Sequence, residues 1–297
     1  MDSKMISIAI IAFKEEKSVA KTIESIIKQK IPGKYELVVC APDEGTISIA
    51  KKYKHVKIFK DPGEGKNQAL NLLYKTLKGD IWIFTDGDVI LGDGSVAEIL
   101  KPFENSKIGL VSGRVVAFNS RETKYGYWAH LLSDAGAHEE RLRGAKIGFV
   151  EPTGYLMAFR ANLAHEIPLE VADDASLPFI ARRNNYKSTY APEAVVYVMQ
   201  PENFREWVTQ KKRCSISHED LDSLYPEAKE LRVKTFGNEL LRGTARALRY
   251  SKSLKELVWT FELFAARLYM WLVVYYDRRF KGARYTYNWE KIRSSKV

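Results

Sequence analysis

The first 90 residues alternate between short, continuous apolar runs and segments in which apolar residues recur every three or four positions. The continuous runs are typical of strands that helices cover on both faces of a sheet, and they occupy residues 6–12, 35–40, 56–59 and 81–85. The periodic segments between them predict helices over 14–29, 45–53 and 65–77. Repeated βα units of this kind predict a parallel, doubly wound α/β sheet, which binds ligands beyond the carboxyl ends of its strands.

The order of elements becomes less regular after about residue 108. We expect strands over 108–118 and 155–159, helix within 121–143, helices over 175–184 and 204–214, and largely extended chain over 190–199. The sequence contains no internal repeat and no low-complexity stretch. Its composition changes near residue 230, where a basic and aromatic segment begins.

The composition is that of a folded globular protein, with 45% hydrophobic and 28% charged residues. Two cysteines in 297 residues exclude a disulfide framework and a zinc cluster. The first apolar run is short and is soon followed by charged residues, unlike a secretory signal. We therefore expect a cytoplasmic protein.

The net charge of +10 is confined to the last part of the chain. From Arg232 to the end there are 15 Lys and Arg and 5 Asp and Glu, so residues 1–230 are neutral overall. A nucleic-acid-binding protein would carry basic charge on its folded body, so we expect no nucleic-acid partner. The basic segment alone needs an anionic partner, and a membrane surface is one.

Residues 257–276 form a nearly continuous apolar stretch in which Glu262 and Arg267 are the charged positions. Lys and Arg residues flank it, and aromatic residues lie near its ends, as at a bilayer interface. Two central charges make full spanning costly, so we expect a helix in the membrane plane or a re-entrant one. A helix packed on the catalytic body is the alternative. If the tail binds lipid, the cytoplasmic face of a membrane is the expected location.

Asp86 and Asp88 follow directly after the buried run at 81–85. In an extended strand, residues two apart project from the same face, so both carboxylates would lie where a parallel sheet binds its ligand. Paired carboxylates there suit Mg²⁺ or Mn²⁺, which share oxygen ligands with substrate phosphates. The alternative is a polar turn whose aspartate caps the next helix.

The order of motifs resembles the family 2 glycosyltransferases, which are inverting enzymes of the GT-A fold. Residues 7–16 look like that family's first strand and nucleotide-binding turn, and 65–71 are similar to its Gly-x-x-x-Ala-x-Asn helix start. Asp86-Gly87-Asp88 matches the Asp-x-Asp motif, Asp173-Asp174 stands where the family has Glu-Asp, and 210–214 resemble Gln-x-x-Arg-Trp. The resemblance covers residues 6–214. It implies a doubly wound, mostly parallel GT-A sheet, and the apolar segment after residue 230 adds a C-terminal helical extension to the expected fold.

The resemblance implies transfer of a sugar from a nucleotide-sugar to an acceptor hydroxyl of a glycan or lipid-linked acceptor. Asp174 would be the base, and Asp88 and Asp86 would hold Mg²⁺ or Mn²⁺. The expected nucleotide-sugar-binding residues are Ala12, Phe13, Glu15, Asp43, Lys66, Asp86, Gln210 and Arg213. The nucleotide-sugar half would cover about 1–118, the acceptor half 119–230 and the tail 231–297.

Two departures from the family pattern bear on specificity. The acidic residues after the second strand, Asp43 and Glu44, come later than the family's acidic pair, which leaves the base open, with UDP expected. Cys214 replaces the family's Trp, which argues against a processive polysaccharide synthase. A sugar-phosphate nucleotidylyltransferase is the nearest enzymatic alternative, although its Gly-rich loop after the first strand is missing. An inert nucleotide-sugar-binding scaffold of the same fold is the other.

Overall fold

The computed structural model describes residues 4–219, 221–231, 243–282 and Lys296. Its centre is an eight-stranded sheet with strand order β3-β2-β1-β4-β7-β6-β8-β5. The strands are β1 (Ile6–Ile11), β2 (Tyr35–Ala41), β3 (Val56–Lys60), β4 (Ile81–Asp86), β5 (Val89–Leu91), β6 (Ile108–Ala117), β7 (Leu156–Arg160) and β8 (Lys187–Val198).

Helices connect the strands and extend the chain at its C-terminal end. They are α1 (Val19–Ile27), α2 (Glu44–Ala50), α3 (Lys66–Tyr74), α4 (Ser95–Leu100), α5 (Lys124–Leu131), α6 (Glu139–Ile147), α7 (Asp173–Arg183), α8 (Phe204–Glu219), α9 (Leu221–Leu224), α10 (Ala228–Leu231), α11 (Thr244–Tyr250) and α12 (Leu254–Lys281). A 3₁₀ turn, Lys101–Glu104, follows α4, and a π-helical segment, Leu132–His138, joins α5 to α6.

The predicted parallel sheet is confirmed for the first four strands. β1 pairs in parallel with both β2 and β4, and the register places Ile11 beside Cys40 on one side and Asp86 on the other. The carboxyl ends of these strands therefore meet at one edge. Beyond β4 the sheet is mixed, because β7 pairs antiparallel with β4 and β6.

Strands β1, β2 and β4 are buried on both faces, as their continuous apolar runs predicted, whereas β3 at the edge of the sheet is partly exposed. Alternate residues of β4 enter two separate cores: Ile81 and Ile83 pack with α1, α2 and α4, whereas Trp82 and Phe84 pack with α3 and α7. On the second face, Tyr74 and Phe159 complete an aromatic cluster with Trp82 and Phe84, with ring centroids 4.8–6.4 Å apart. This packing fixes the position of β4, and therefore of Asp86 at its carboxyl end, relative to the helices on both faces.

Two asparagines of α3 hold the loop that precedes α7. The Asn71 amide donates to the Ile167 carbonyl (2.9 Å) and accepts from its backbone N–H (2.7 Å). The Asn67 amide donates to the carbonyls of Pro168 (2.6 Å) and Val171 (2.7 Å). Buried backbone groups need such partners. The loop that leads into Asp173-Asp174 is thereby attached to the helix start 65–71.

The C-terminal helix α12 packs on the body of the protein. Leu263 and Met270 share a core cluster with Tyr127 and Trp128 of α5 and with Trp207 of α8. The tail and the body thus have a common apolar core. Residues 232–242 and 283–295, which belong to the tail predicted at 231–297, lie outside the described residues, and the boundary near 230 stays a prediction.

The opposite face of α12 is apolar and exposed. Its residues recur at spacings of three, four or seven, which places them on one stripe of the helix: Leu254, Val258, Phe261, Leu268, Leu272 and Tyr275, each at least half exposed. Within the described residues, α12 is long and apolar enough to cross a membrane by length and composition. The mostly buried core helix of a soluble protein meets the same criterion, whereas 28% of the most apolar window of α12 is buried.

We predict that Asn71→Ala lowers the free energy of unfolding, because it leaves the buried N–H and C=O of Ile167 without partners. The expected loss is about 1–3 kcal/mol for each group left unpaired. Urea denaturation measures it, and Asn162→Ala, which removes an exposed amide, is the control and should change stability by less than about 0.5 kcal/mol. Equal effects of the two substitutions would contradict the role given to Asn71.

Candidate active site

A cavity of about 930 Å³ opens at the carboxyl ends of the first strands, the edge at which the sequence predicted ligand binding. It reaches from the turn after β1 to α8 and α12. The predicted site residues that line it are Ala12, Phe13, Glu15, Lys66, Asp86, Asp88, Asp174, Gln210 and Arg213. The structure therefore brings together residues up to 201 positions apart in the chain.

Asp43, also predicted to bind the nucleotide, is not among the described residues that line the cavity. Its carboxylate accepts the backbone N–H of Lys14 at 2.7 Å and caps α2 by accepting that of Thr46 at 2.9 Å. Lys14 has φ of +57°, a left-handed conformation that needs such support in a residue other than glycine. Asp43 thus positions the turn after β1 that carries Phe13 and Glu15.

The Asp86-Gly87-Asp88 segment lies directly against that turn. Gly87 donates its N–H to the Ile11 carbonyl at 3.0 Å, and a Cβ at Gly87 would lie 2.6 Å from the Cβ of Ala12. Because carbon atoms do not approach that closely, position 87 excludes any side chain. The tight contact keeps Asp88 next to Glu15.

Lys66, the first residue of α3, joins two buried carboxylates. Its ammonium lies 3.2 Å from Asp86 and 3.3 Å from Asp173, and its side chain is 8% exposed. Burial opposes its charge, but Asp173, Asp86 and Asp174 outweigh burial and raise the pKa of Lys66. Burial raises the pKa of Asp86 to about 6, although Lys66 counteracts the rise, and burial also raises that of Asp173.

Asp88 and Glu15 converge on one cationic group. The ammonium of Lys296 lies 2.9 Å from the Asp88 carboxylate and also contacts that of Glu15. Burial, and then the charge of Asp88, raise the pKa of the nearly buried Glu15. Two carboxylates that share a cation form a suitable position for a divalent metal ion.

No group of three or more His, Cys, Asp or Glu side chains in the described part of the chain is arranged to hold a metal ion by itself. Mg²⁺ usually takes several of its ligands from substrate phosphates and water. Asp86, predicted as a second ligand, is instead paired with Lys66. Its role toward a metal stays a prediction, whereas Glu15, predicted to bind nucleotide, lies beside Asp88.

Asp173 and Asp174 begin α7, one residue after the loop that Asn67 holds. Both residues line the cavity, but Asp173 is 4% exposed and pairs with Lys66, whereas Asp174 is partly exposed. Gly154 faces Lys66 and Asp174. A Cβ at this position would lie 3.3 Å from the Lys66 ammonium and 3.7 Å from the Asp174 carboxylate. Of the two acidic residues, Asp174 is the one that an acceptor could reach.

The far wall of the cavity comes from α8. Gln210 is 5% exposed, and its side-chain carbonyl oxygen has no hydrogen-bond partner among the described residues. Arg213 lines the cavity one turn further along the same helix. A buried carbonyl without a partner is available to a donor, and a substrate hydroxyl is one such donor.

Many cavity residues were not predicted from the sequence, and Asp61, Arg141, Tyr155 and Lys296 are among the polar ones. Asp61 follows β3, so the rule that places ligands beyond strand ends could have found it. It accepts the Gly63 N–H at 2.8 Å. Nothing local in the sequence indicates that Arg141 or Lys296 would reach the cavity, because their neighbours are distant in the chain.

We predict that Lys66→Gln destabilises the protein by about 3–5 kcal/mol, since it leaves Asp86 and Asp173 buried without a cation. Without Lys66 the pKa values of both carboxyls rise further in the folded state, and the stability that their protonation provides is lost as pH increases. The loss should therefore be larger at pH 8 than at pH 5 in urea unfolding. Lys60→Gln, which removes an exposed pair with Glu44, should have little effect at either pH.

Residues 3–216 match the family described as "Glycosyltransferase like family 2". An N-acetylglucosaminyltransferase of Bradyrhizobium diazoefficiens is 22% identical over 223 residues, 66% of this chain and 45% of that protein. A beta-monoglucosyldiacylglycerol synthase of Nostoc sp. is 24% identical over 169 residues, 52% of this chain and 36% of that protein. The chain spans about half the length of the first curated relatives it matches.

Two solved structures show the same fold. The mannosyltransferase PcManGT of Pyrobaculum calidifontis, in complex with GDP-Man and Mn²⁺, has a TM-score of 0.67 and 17% identity, over 94% of this chain and 88% of that one. Residues 1–349 of S. aureus TarS with UDP-GlcNAc give 0.53 and 14%, over 96% and 93%. The predicted GT-A-type fold is confirmed. With most of its length matched by the family, this chain belongs to glycosyltransferase family 2.

Proposed function

We propose that this protein is an inverting glycosyltransferase that moves a sugar from a nucleotide-sugar to the hydroxyl of a lipid-linked or glycan acceptor. The observation that carries the proposal is the single cavity that joins the cation position at Asp88 and Glu15 to Asp174, with Lys66 and Arg213 on its walls. This reaction needs carboxylates that bind a metal, a further carboxylate that accepts a proton, and cations that stabilise the diphosphate.

In the proposed reaction, Asp174 accepts the proton of the acceptor hydroxyl as that oxygen attacks the anomeric carbon. The bond from this carbon to the diphosphate oxygen breaks, and the nucleoside diphosphate leaves with the electron pair. Attack opposite the leaving group inverts the anomeric centre. Arg213 provides a cation where charge develops on the diphosphate.

The residues that would hold Mn²⁺ or Mg²⁺ are Asp88 with Glu15, and Asp86 by the family resemblance. A metal bound there would neutralise part of the diphosphate charge. The carboxylate oxygens suit these hard cations, and the ammonium of Lys296 between Asp88 and Glu15 supports a cation position. Mn²⁺ accompanies GDP-Man in one structural neighbour.

For the nucleotide we propose UDP. One structural neighbour contains UDP-GlcNAc and another contains GDP-Man, so proteins of this fold bind nucleotide-sugars of either base. A binding screen of UDP- and GDP-sugars with Mn²⁺, measured by calorimetry on the full-length chain, tests the proposed donor. Absence of binding by every nucleotide-sugar would overturn the proposed function, and preference for a GDP-sugar would overturn the proposed base.

We further propose that the protein works at an anionic, cytoplasmic membrane surface, with α12 lying in the interface plane. Its outer stripe is apolar and aromatic, and Lys255, Arg278, Arg279 and Lys281 lie at its ends. Its inner stripe packs on α5 and α8, which opposes a spanning orientation. Near anionic lipid each Lys or Arg contributes about 1 kcal/mol. The name of one relative, a beta-monoglucosyldiacylglycerol synthase, specifies a lipid product.

We predict that Asp88→Ala abolishes the metal-dependent part of nucleotide-sugar binding, because it removes one of the two carboxylates at the cation position. Calorimetric titration of the donor with and without Mn²⁺ measures this. Asp93→Ala, an exposed aspartate five residues further on, should bind like the unmodified protein. Unchanged metal-dependent affinity in Asp88→Ala would remove Asp88 from the metal site.

We predict that Asp174→Asn retains donor affinity but loses transfer, and donor hydrolysis by water, by at least about 100-fold, as expected for a removed general base. Release of nucleoside diphosphate measures hydrolysis. Asp173→Asn is the matched variant, and its effect should appear in stability, since Asp173 pairs with Lys66. An active Asp174→Asn beside an inactive Asp173→Asn would show that the other carboxylate is the base.

We predict that the full-length protein sediments with phosphatidylglycerol vesicles more than with phosphatidylcholine vesicles. Replacing Val258, Phe261 and Leu272 with Gln should abolish the binding without loss of the fold, because these side chains are 56–59% exposed. Ile147→Gln, at a 70% exposed position of α6, is the control. Vesicle binding that survives the triple substitution would show that the outer stripe does not contact lipid.

A further inference from the structure

Lys296 reaches the candidate active site from far along the chain, 208 positions after Asp88. Its ammonium lies 2.9 Å from the Asp88 carboxylate, it also contacts the Glu15 carboxylate, and its side chain lines the cavity. Neither carboxylate forms another ion pair with a residue that the structure describes. The family match ends at residue 216, so this contact comes from outside the matched region.

Glu15 and Asp88 need a cation whether or not a metal ion is bound. Their side chains are 8% and 19% exposed, so little water screens one carboxylate from the other. Two neighbouring carboxylates with so little solvent repel each other and resist ionisation unless a positive charge lies between them. In the structure the ammonium of Lys296 provides that charge.

Lys296 is held less firmly than Lys66, the other lysine that joins two carboxylates of the site. The Lys66 side chain is 8% exposed and belongs to α3, which packs on the sheet. The Lys296 side chain is 23% exposed, and the residue lies outside any helix or strand. Its ammonium can therefore leave the carboxylates without any movement of the elements that build the site.

The ammonium and a metal ion use the same oxygen atoms. Asp88 and Glu15 are the residues that would hold Mn²⁺ or Mg²⁺, and both are paired with Lys296. Two cations on one pair of carboxylates repel each other, and the repulsion is strong where water is largely excluded. A metal ion can therefore use these carboxylates only in place of the ammonium.

We propose that Lys296 is an intramolecular competitor of the divalent metal: its ammonium occupies the position between Asp88 and Glu15, and a metal ion binds there only after Lys296 has left. The proposal rests on the metal position of the function proposed above, and it gives a regulatory role to a residue beyond the family match. A diphosphate supplies the metal with further oxygen ligands, so a bound nucleotide favours the metal over Lys296. The site therefore loads metal and nucleotide together.

The competition determines the apparent affinity for the metal. A metal ion binds only the molecules whose Lys296 has left, and its apparent affinity is reduced by that fraction. If Lys296 occupies the position in about nine of ten molecules, loss of its charge strengthens metal binding about tenfold.

The test titrates Mn²⁺ into the full-length protein without nucleotide and measures binding by calorimetry. Lys296→Met keeps the length of the side chain but removes its charge, so it should bind Mn²⁺ at least about tenfold more tightly than the unmodified protein. The matched control is Lys57→Met, which removes an ammonium 2.8 Å from the buried Glu36 carboxylate on strands that lie outside the cavity lining at these positions. It should leave the affinity for Mn²⁺ unchanged.

Two further measurements do not depend on calorimetry. In EDTA, Lys296→Met should unfold at a lower temperature than the unmodified protein, because Asp88 and Glu15 then lack a cation, and Mn²⁺ should reverse this. In the unmodified protein, acetylation followed by mass spectrometry reports the accessibility of each lysine. Saturating Mn²⁺ should make Lys296 react several-fold faster and leave the rate at Lys57 unchanged.

The outcomes separate this proposal from the proposed function. Equal Mn²⁺ affinity of Lys296→Met and the unmodified protein, or an acetylation rate of Lys296 that ignores Mn²⁺, would overturn the competitor role and leave the glycosyltransferase intact. Weaker UDP binding by Lys296→Met, without tighter binding of Mn²⁺ alone, would show that Lys296 contacts the diphosphate instead. Absence of Mn²⁺ binding by both proteins, with and without UDP, would overturn the metal position and the competitor role with it.

Discussion

The site depends on one buried ammonium. Lys66 belongs to α3, Asp86 to the end of β4 and Asp173 to the start of α7. The positive charge of Lys66 allows these three segments to meet. Two carboxylates that approach each other inside a protein repel and resist ionisation unless a cation lies between them. By pairing with Asp86 and Asp173, Lys66 leaves Asp174 to face the cavity. The asparagines of α3 add a second attachment, through the loop before α7.

Much of the fold could be predicted from the sequence because the strands are short apolar runs and the helices between them have a clear period. The parallel pairing among the first four strands follows from that alternation alone. The pairing of β5 with β8 and the π-helical segment could not be predicted, because they depend on contacts between distant residues. Nor does an apolar stretch such as 257–276 indicate which of its faces is buried.

The candidate site was predictable where a motif marks a strand or helix end. Asp86-Gly87-Asp88 and Asp173-Asp174 were found in this way, and both are at the cavity. Asp43 was also predicted from its place after a strand; it caps α2, and its contact with a nucleotide stays a prediction. Arg141 was missed because an arginine on an amphipathic helix has the same local pattern whether it faces water or a cavity.

Because α12 forms both a wall of the cavity and part of the outer surface, its thickness separates the cavity from whatever contacts that surface. An α-helix with its side chains is about 10–12 Å across. A helix held in the interface plane would therefore keep the cavity about one helix diameter above the lipid, and its packing on α5 and α8 would prevent that height from varying. In the proposed interfacial placement such a helix would act as a spacer: an acceptor would have to extend its reactive group that far out of the bilayer, and shorter headgroups would be excluded by length before any contact with the catalytic residues.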